Sequence, residues 1–250
     1  VETIPVLHFF LLFAVGAAAG FINALAGGGS ILTVPALIFL GLDPITANGT
    51  NRIAVVIQCT ASIASYHQDK IRLYKESARY ALFTLPGAIL GALLAVEISD
   101  ALFKNILGVL TIVIVLTLFL PITKRSQNDI RKSPKWLFYL VLLAIGFYGG
   151  FLQIGVGFLV MACLYHMEKL DLMVVNIHKV FLLLFFTLPA LLVFALSGHV
   201  HWVPGLMLSA GNATGAWWGA KANLRGGEKL IRIVVALAAV IMALKLFNLF

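Results

Sequence analysis

Two cations sit in stretches whose neighbours are apolar. Arg52 lies about six residues inside one span and Lys179 about seven inside another. A charge at the centre of a bilayer costs at least about 2.5–3.5 kcal/mol, so such a side chain faces a cavity or a partner, or snorkels along its stem to the interface. Neither span holds a carboxylate, which makes an anionic ligand the missing countercharge. Around them lie Asn23, Asn48, Thr50, Asn51, Gln58, Gln153, Asn176, Asn212 and Thr214, whose amides and hydroxyls either bind the oxygens of an anion or bridge helices. His178, beside Lys179, adds an imidazole that titrates near neutral pH and could couple anion movement to a proton, or else stays neutral between helices.

A second feature stands next to these cations and occurs twice, about 130 residues apart. In the first copy Gly16-Ala-Ala-Ala-Gly20-Phe21-Ile22-Asn23 is followed by Gly27-Gly28-Gly29-Ser30 and a short apolar run to Leu40. In the second, Gly146-Phe147-Tyr148-Gly149-Gly150-Phe151-Leu152-Gln153 is followed by Gly155-Val156-Gly157 and an apolar run to Tyr165. Residues 31–41 as a helix cover only about 15 Å, half of a roughly 30 Å hydrocarbon core. Their N-terminus therefore ends near mid-depth, where free N–H groups must be buried in protein or line a wet cavity. A helix start is an anion site, and Gly155 and Gly157 supply a second one from the opposite side. Three successive glycines break a helix, which packing alone does not need. Gly16/Gly20, Gly87/Gly91 and Gly211/Gly215/Gly219, at four-residue spacing, read instead as helix-packing positions.

These groups must be held by membrane-spanning helices. With 61% hydrophobic and 11% charged residues and a mean hydropathy of +1.02, the chain cannot keep its surface in water. The apolar segments are 6–25, 31–41, 46–66, 77–97, 102–122, 135–153, 156–168, 172–197, 202–221 and 229–249, of which the second and seventh are short. The first segment lacks a basic leader and a small-residue cleavage site and is read as mature structure. Cys59 and Cys163 fall at unlike places in the repeat and read as small packing residues. The pair His199 and His201 has no third ligand in view, so no metal site is expected. Trp136 and Trp202 stand at span ends, as interface anchors do.

The net charge of +8 resides in short connections and sets topology, with no nucleic-acid reading. Lys70, Arg72, Lys75 and Arg79, then Lys124, Arg125, Arg131, Lys132 and Lys135, then Lys221, Arg225, Lys229 and Arg232 should face the cytoplasm, leaving both termini outside. Matched connections carry opposite charge character: the basic 67–79 loop corresponds to the uncharged 197–201 turn, and the acidic 97–100 turn to the basic 221–232 stretch. Halves of opposite orientation would show this swap. The expected fold is an all-α integral membrane protein. It has two inverted repeats, 1–125 and 126–250, of about five hydrophobic segments each, the front pair of each forming a broken or re-entrant hairpin.

The run Gly20 to Ser30 with Pro35, the Gly49-Thr50-Asn51-Arg52 stretch, Gly146 to Phe151 with Gly155-Val156-Gly157, and the tail Leu196-Ser197-Gly198-His199, Gly211 to Gly219 and Gly226 to Arg232 resemble the TauE/SafE sulfite exporter family. That family is also called the toluene-sulfonate uptake permease family. The resemblance covers nearly the whole chain and implies a bacterial inner-membrane carrier of sulfur-containing anions such as sulfite or organosulfonates, often in export. The expected binding set is Asn23, Gly27, Gly28, Gly29, Ser30, Asn48, Asn51, Arg52, Gln153, Gly155, Gly157, Asn176, His178 and Lys179. An anion channel or passive uniporter on the same framework is the alternative. An enzyme pairing Ser30 with His178 lacks a surrounding catalytic motif, and no phosphate-binding loop is present to use ATP. No cofactor is expected. The partners are a small anion and membrane lipid, and a homodimer through lipid-facing glycine surfaces stays open.

Overall fold

The computed structural model describes residues 6–71, 73–118 and 134–246, and every element in them is helical. The helices are α1 (Val6–Leu25), α2 (Ser30–Phe39), α3 (Pro44–Gln68), α4 (Tyr74–Glu97), α5 (Asp100–Leu118), α6 (Lys135–Phe151), α7 (Val156–Met167), α8 (Leu172–Leu196) and α9 (Trp202–Leu246). On length and composition, α1, α4 and α8 are apolar enough to cross a membrane. Large apolar side chains point outward: Leu196 is 80% exposed and Leu188, Leu192 and Leu206 are also exposed, while Arg52, Asn48, Asn51 and Lys179 are 0% exposed. Water does not favour that distribution, whereas lipid against the outer surface does.

Local sequence explains the element ends. Asp43 accepts from the Thr46 N–H at 2.8 Å and Pro44 fills the first helical position, so α3 starts there. α1 stops before Gly27, whose φ of +85° continues no right-handed helix, and α7 starts after Gly155 at φ +70°. The 10 residues of α2 and 12 of α7 span only about 15–18 Å each.

α1 packs along α9 and α6 along α4; α3 packs on α9 and α8 on α4. α2 touches α1 and α3 as α7 touches α6 and α8, and α3 and α8 meet each other. Exchanging the two halves leaves this pattern of neighbours unchanged. Glycines allow the closest crossings: a Cβ on Gly20 would lie 2.9 Å from Asn212 Cα, and one on Gly150 would lie 2.6 Å from Ala88 Cα.

One expectation fails. Segments 202–221 and 229–249 are not separated by a connection; α9 runs unbroken for 45 residues, roughly 68 Å, more than twice a hydrocarbon core. The stretch read as a basic loop is built largely of Lys, Arg, Glu, Leu and Ala, all good helix formers. Gly226-Gly227 costs only about 2 kcal/mol against alanine. Arg72 and the connection with Lys124, Arg125, Arg131 and Lys132, together with the boundary at 125–126, lie outside the described residues.

Candidate functional site: two broken helices and two buried cations

The last four carbonyls of a helix have no partner within it. At the end of α6, Leu152 N–H donates to Tyr148 O at 2.6 Å, Arg52 Nη1 donates to Gly149 O at 3.0 Å, Arg52 Nη2 donates to Gly150 O, and Asn48 Nδ2 donates to Phe151 O at 3.0 Å. At the end of α1, Ala26 N–H donates to Ile22 O at 2.7 Å, and Lys179 Nζ donates to Asn23 O at 2.8 Å and Ala24 O at 3.1 Å. Asn176 Nδ2 then reaches Leu25 O at 2.9 Å. At both breaks a main-chain N–H satisfies the first of the four carbonyls, and the same device, an amide and a cation from the third helix of the opposite half, satisfies the other three. The negative end of each helix dipole faces a cationic side chain.

The helix starts are treated differently. Neither α2 nor α7 has a side-chain cap at its N-terminus. The two starts meet: a Cβ on Gly27 would lie 2.7 Å from Gly157 Cα, so the backbones touch where glycine is needed. Asn51 ties the start of α2 to α3, donating to Ser30 Oγ at 3.3 Å and accepting from Thr33 Oγ1 at 2.6 Å. Gln153 joins the halves at the other break: its N–H donates to Asn48 Oδ1 at 3.1 Å, its Oε1 accepts from Arg52 Nη1 at 3.0 Å, and its Nε2 donates to Thr187 Oγ1 at 3.3 Å.

Of the expected set, Asn23, Gly27, Gly29, Ser30, Asn48, Asn51, Arg52, Gln153, Gly155, Gly157, Asn176 and Lys179 form one connected buried cluster. Gly28 and Gly29 are closed by protein: a Cβ on Gly28 would strike the Phe158 ring, and one on Gly29 would lie 2.8 Å from Asn23 Cβ. His178 faces elsewhere, with Nδ1 2.8 Å from Ser77 Oγ of α4 and its ring edge-on to Tyr80 at 5.5 Å. Sequence reasoning did not single out Thr33, Thr187, Asn223 or Tyr66. Asn223 accepts from Asn176 Nδ2 at 3.0 Å and donates to Tyr66 Oη at 3.2 Å. Thr33 stands three residues after Ser30 in a first helical turn, a spacing that could have marked it.

The electrostatic sum follows. With both side chains protonated, Arg52 and Lys179 bring two positive charges; the capped ends of α6 and α1 contribute roughly −0.5 each and the starts of α7 and α2 roughly +0.5 each. The helix ends cancel and about +2 remains. Among the described residues no Asp or Glu is buried to compensate it.

A family model described as the sulfite exporter TauE/SafE matches residues 12–246. The chain belongs to this family. Relatives of the TauE/SafE chain include the probable membrane transporter protein ORF9 of a Sinorhizobium species, 30% identical over 236 residues, with 94% of this chain and 90% of the relative covered. The probable membrane transporter protein YfcA of Escherichia coli K12 is 30% identical over 241 residues, 94% of this chain and 88% of that one. The probable membrane transporter protein YunE of Bacillus subtilis is 25% identical over 266 residues, with coverage of 96% and 97%. No solved structure matches. The chain is thus a membrane transporter of the TauE/SafE family.

Proposed function

We propose that this transporter is a secondary carrier of small sulfur-containing anions, organosulfonate or sulfite, working in export across the bacterial inner membrane, and that it is not an enzyme. One observation carries the reading: two fully buried cations cap the ends of α6 and α1, the starts of α2 and α7 that follow have no side-chain cap and meet at Gly27 and Gly157, and no carboxylate among the described residues is buried to balance them. A net charge of about +2 in a medium of low dielectric constant favours an oxyanion of charge −1 or −2. Sulfur as the central atom is supported by the family name. The binding set is the cluster above, with the anion against the starts of α2 and α7 where Gly27 meets Gly157. His178, packed on α4, is a proton-coupling group rather than an anion contact in this reading.

The mechanism is alternating access of two inverted repeats. It is supported by the exchange symmetry of the helix neighbours and by the matching caps, since each cation of one half holds the broken helix of the other. The basic connections face the cytoplasm and the start of α1 faces outside. Counterflow in proteoliposomes tests this. Labelled sulfoacetate outside should accumulate transiently in vesicles preloaded with unlabelled sulfoacetate, and everted membrane vesicles should take it up when energised. Flux that neither saturates nor responds to substrate on the far side would instead identify an open channel.

A further inference from the structure

The two cations occupy equivalent places but are different residues, and counting donors shows what the difference leaves over. Each cap presents three oxygen acceptors to its cation. Lys179 meets Asn23 O at 2.8 Å, Ala24 O at 3.1 Å and Asn176 Oδ1 at 2.7 Å. An ammonium has three N–H donors, so Lys179 is spent on the cap. Arg52 meets Gly149 O, Gly150 O and Gln153 Oε1, and a guanidinium has five N–H donors. Among the described residues its Nε–H has no partner, although the side chain is 0% exposed. Arg52 Cζ lies over the Phe194 ring, 4.5 Å from its centroid, and an oxygen that accepts from Nε–H must approach in the guanidinium plane, along the edge of the fork. That edge, Nε–H with the neighbouring Nη2–H, is the one that grips two oxygens of an oxyanion side by side.

We infer that Arg52 makes the direct contact with the transported oxyanion through its Nε edge, while Lys179 is a positioning residue that holds the break of α1 and contributes charge at longer range. The assignment rests on the anion-transport reading above. It gives the site a preference for anions presenting two coplanar oxygens about one atom, as sulfonate and sulfite do and chloride does not. It also gives a reason for arginine in one half and lysine in the other: only the half that both caps a helix and contacts cargo needs more than three donors.

Arg52→Lys and Lys179→Arg separate the roles, because either cation can satisfy three acceptors. Affinities for sulfite and sulfoacetate are measured by calorimetry on the detergent-solubilised full chain, with KM and maximal rate from counterflow. Arg52→Lys should keep the fold and weaken binding roughly ten- to a hundredfold, as loss of a charge-assisted contact does. Lys179→Met should lower the maximal rate and, through loss of its longer-range charge, weaken binding by less than Arg52→Lys does, and Lys179→Arg should restore both. Wild-type affinity in Arg52→Lys overturns the assignment, as does a loss of affinity in folded Lys179→Arg equal to that in Arg52→Lys. Should Lys179→Met not fold, the Arg52→Lys and Lys179→Arg pair alone decides. A wild-type protein that binds no oxyanion overturns the transport reading itself and the assignment with it, an outcome distinct from wild-type binding that survives Arg52→Lys.

Discussion

Replacing Asn48 with leucine tests whether the broken helices are held by their carbonyl caps. Asn48 is fully buried; its Nδ2 donates to Phe151 O at 3.0 Å and its Oδ1 accepts from Gln153 N–H at 3.1 Å. Leucine has the same branched heavy-atom skeleton with bulkier tips, so no cavity opens and the loss is chiefly polar. One buried carbonyl and one buried N–H are left without partners at about 1–3 kcal/mol each, giving about 2–6 kcal/mol. For a chain of this size that corresponds to a fall in melting temperature of roughly 4–24 °C. The buried free thiols of Cys59 and Cys163 provide the assay, because a thiol-reactive fluorophore reports their exposure on heating. Thr60→Val is the control: its hydroxyl bonds Val56 O within the same helix at 2.8 Å on an exposed surface, and a change within about 0.5 kcal/mol is expected. An Asn48→Leu protein that melts with the control would refute the capping argument.

The other predictions share that assay. Gly27→Ala should destabilise more than Gly41→Ala: both sit at positive φ, +85° and +93°, but a Cβ at Gly27 would overlap Gly157 while Gly41 has nothing within 4 Å. Gly41→Ala should therefore lose only about 1–2 kcal/mol of left-handed strain. Asp43→Ala should lose about 1 kcal/mol of cap energy from α3. Burial pushes the Asp43 carboxyl up, but bonds from Thr46 and the charge of His199 outweigh it and hold it below its ordinary value of 3.8. Its contribution is therefore complete above that value and lost as pH falls through the lowered one, and Asp43→Asn should abolish this acid sensitivity while keeping the cap.

Much of the cluster was legible because its residue types are costly in a membrane. A charge in an apolar span or a run of three glycines needs a reason wherever it stands, so Arg52, Lys179 and Gly27 to Ser30 declared themselves. What the cations bind first was not legible. The hydrogen bonds of both cations go to main-chain carbonyls at Gly149, Gly150, Asn23 and Ala24, and a carbonyl is present at every residue, so it leaves no mark in a sequence. The same holds for Asn48 and Asn176, read as ligand groups or helix bridges and found as caps. The glycines of the first break were placed in the expected binding set; in this conformation Phe158 and Asn23 stand beside Gly28 and Gly29, because absent side chains also let protein approach. Asn223 was hidden by the continuation of α9, since charged residues that set topology also form helix readily.

The measurement that bears most directly on the central claim is thermal stabilisation of the purified chain by a ligand panel: sulfite, sulfoacetate, taurine, sulfate, acetate, chloride, and a neutral and a cationic analogue of matching size. A ligand that binds only the folded state stabilises by about 2.7 kcal/mol at a hundred times its Kd. Two buried cations, with no buried carboxylate among the described residues, predict stabilisation by sulfite and sulfoacetate, reduced in Arg52→Lys, and none by the neutral or cationic compounds. Stabilisation by the cationic or neutral analogue, with none by any anion, would contradict the account.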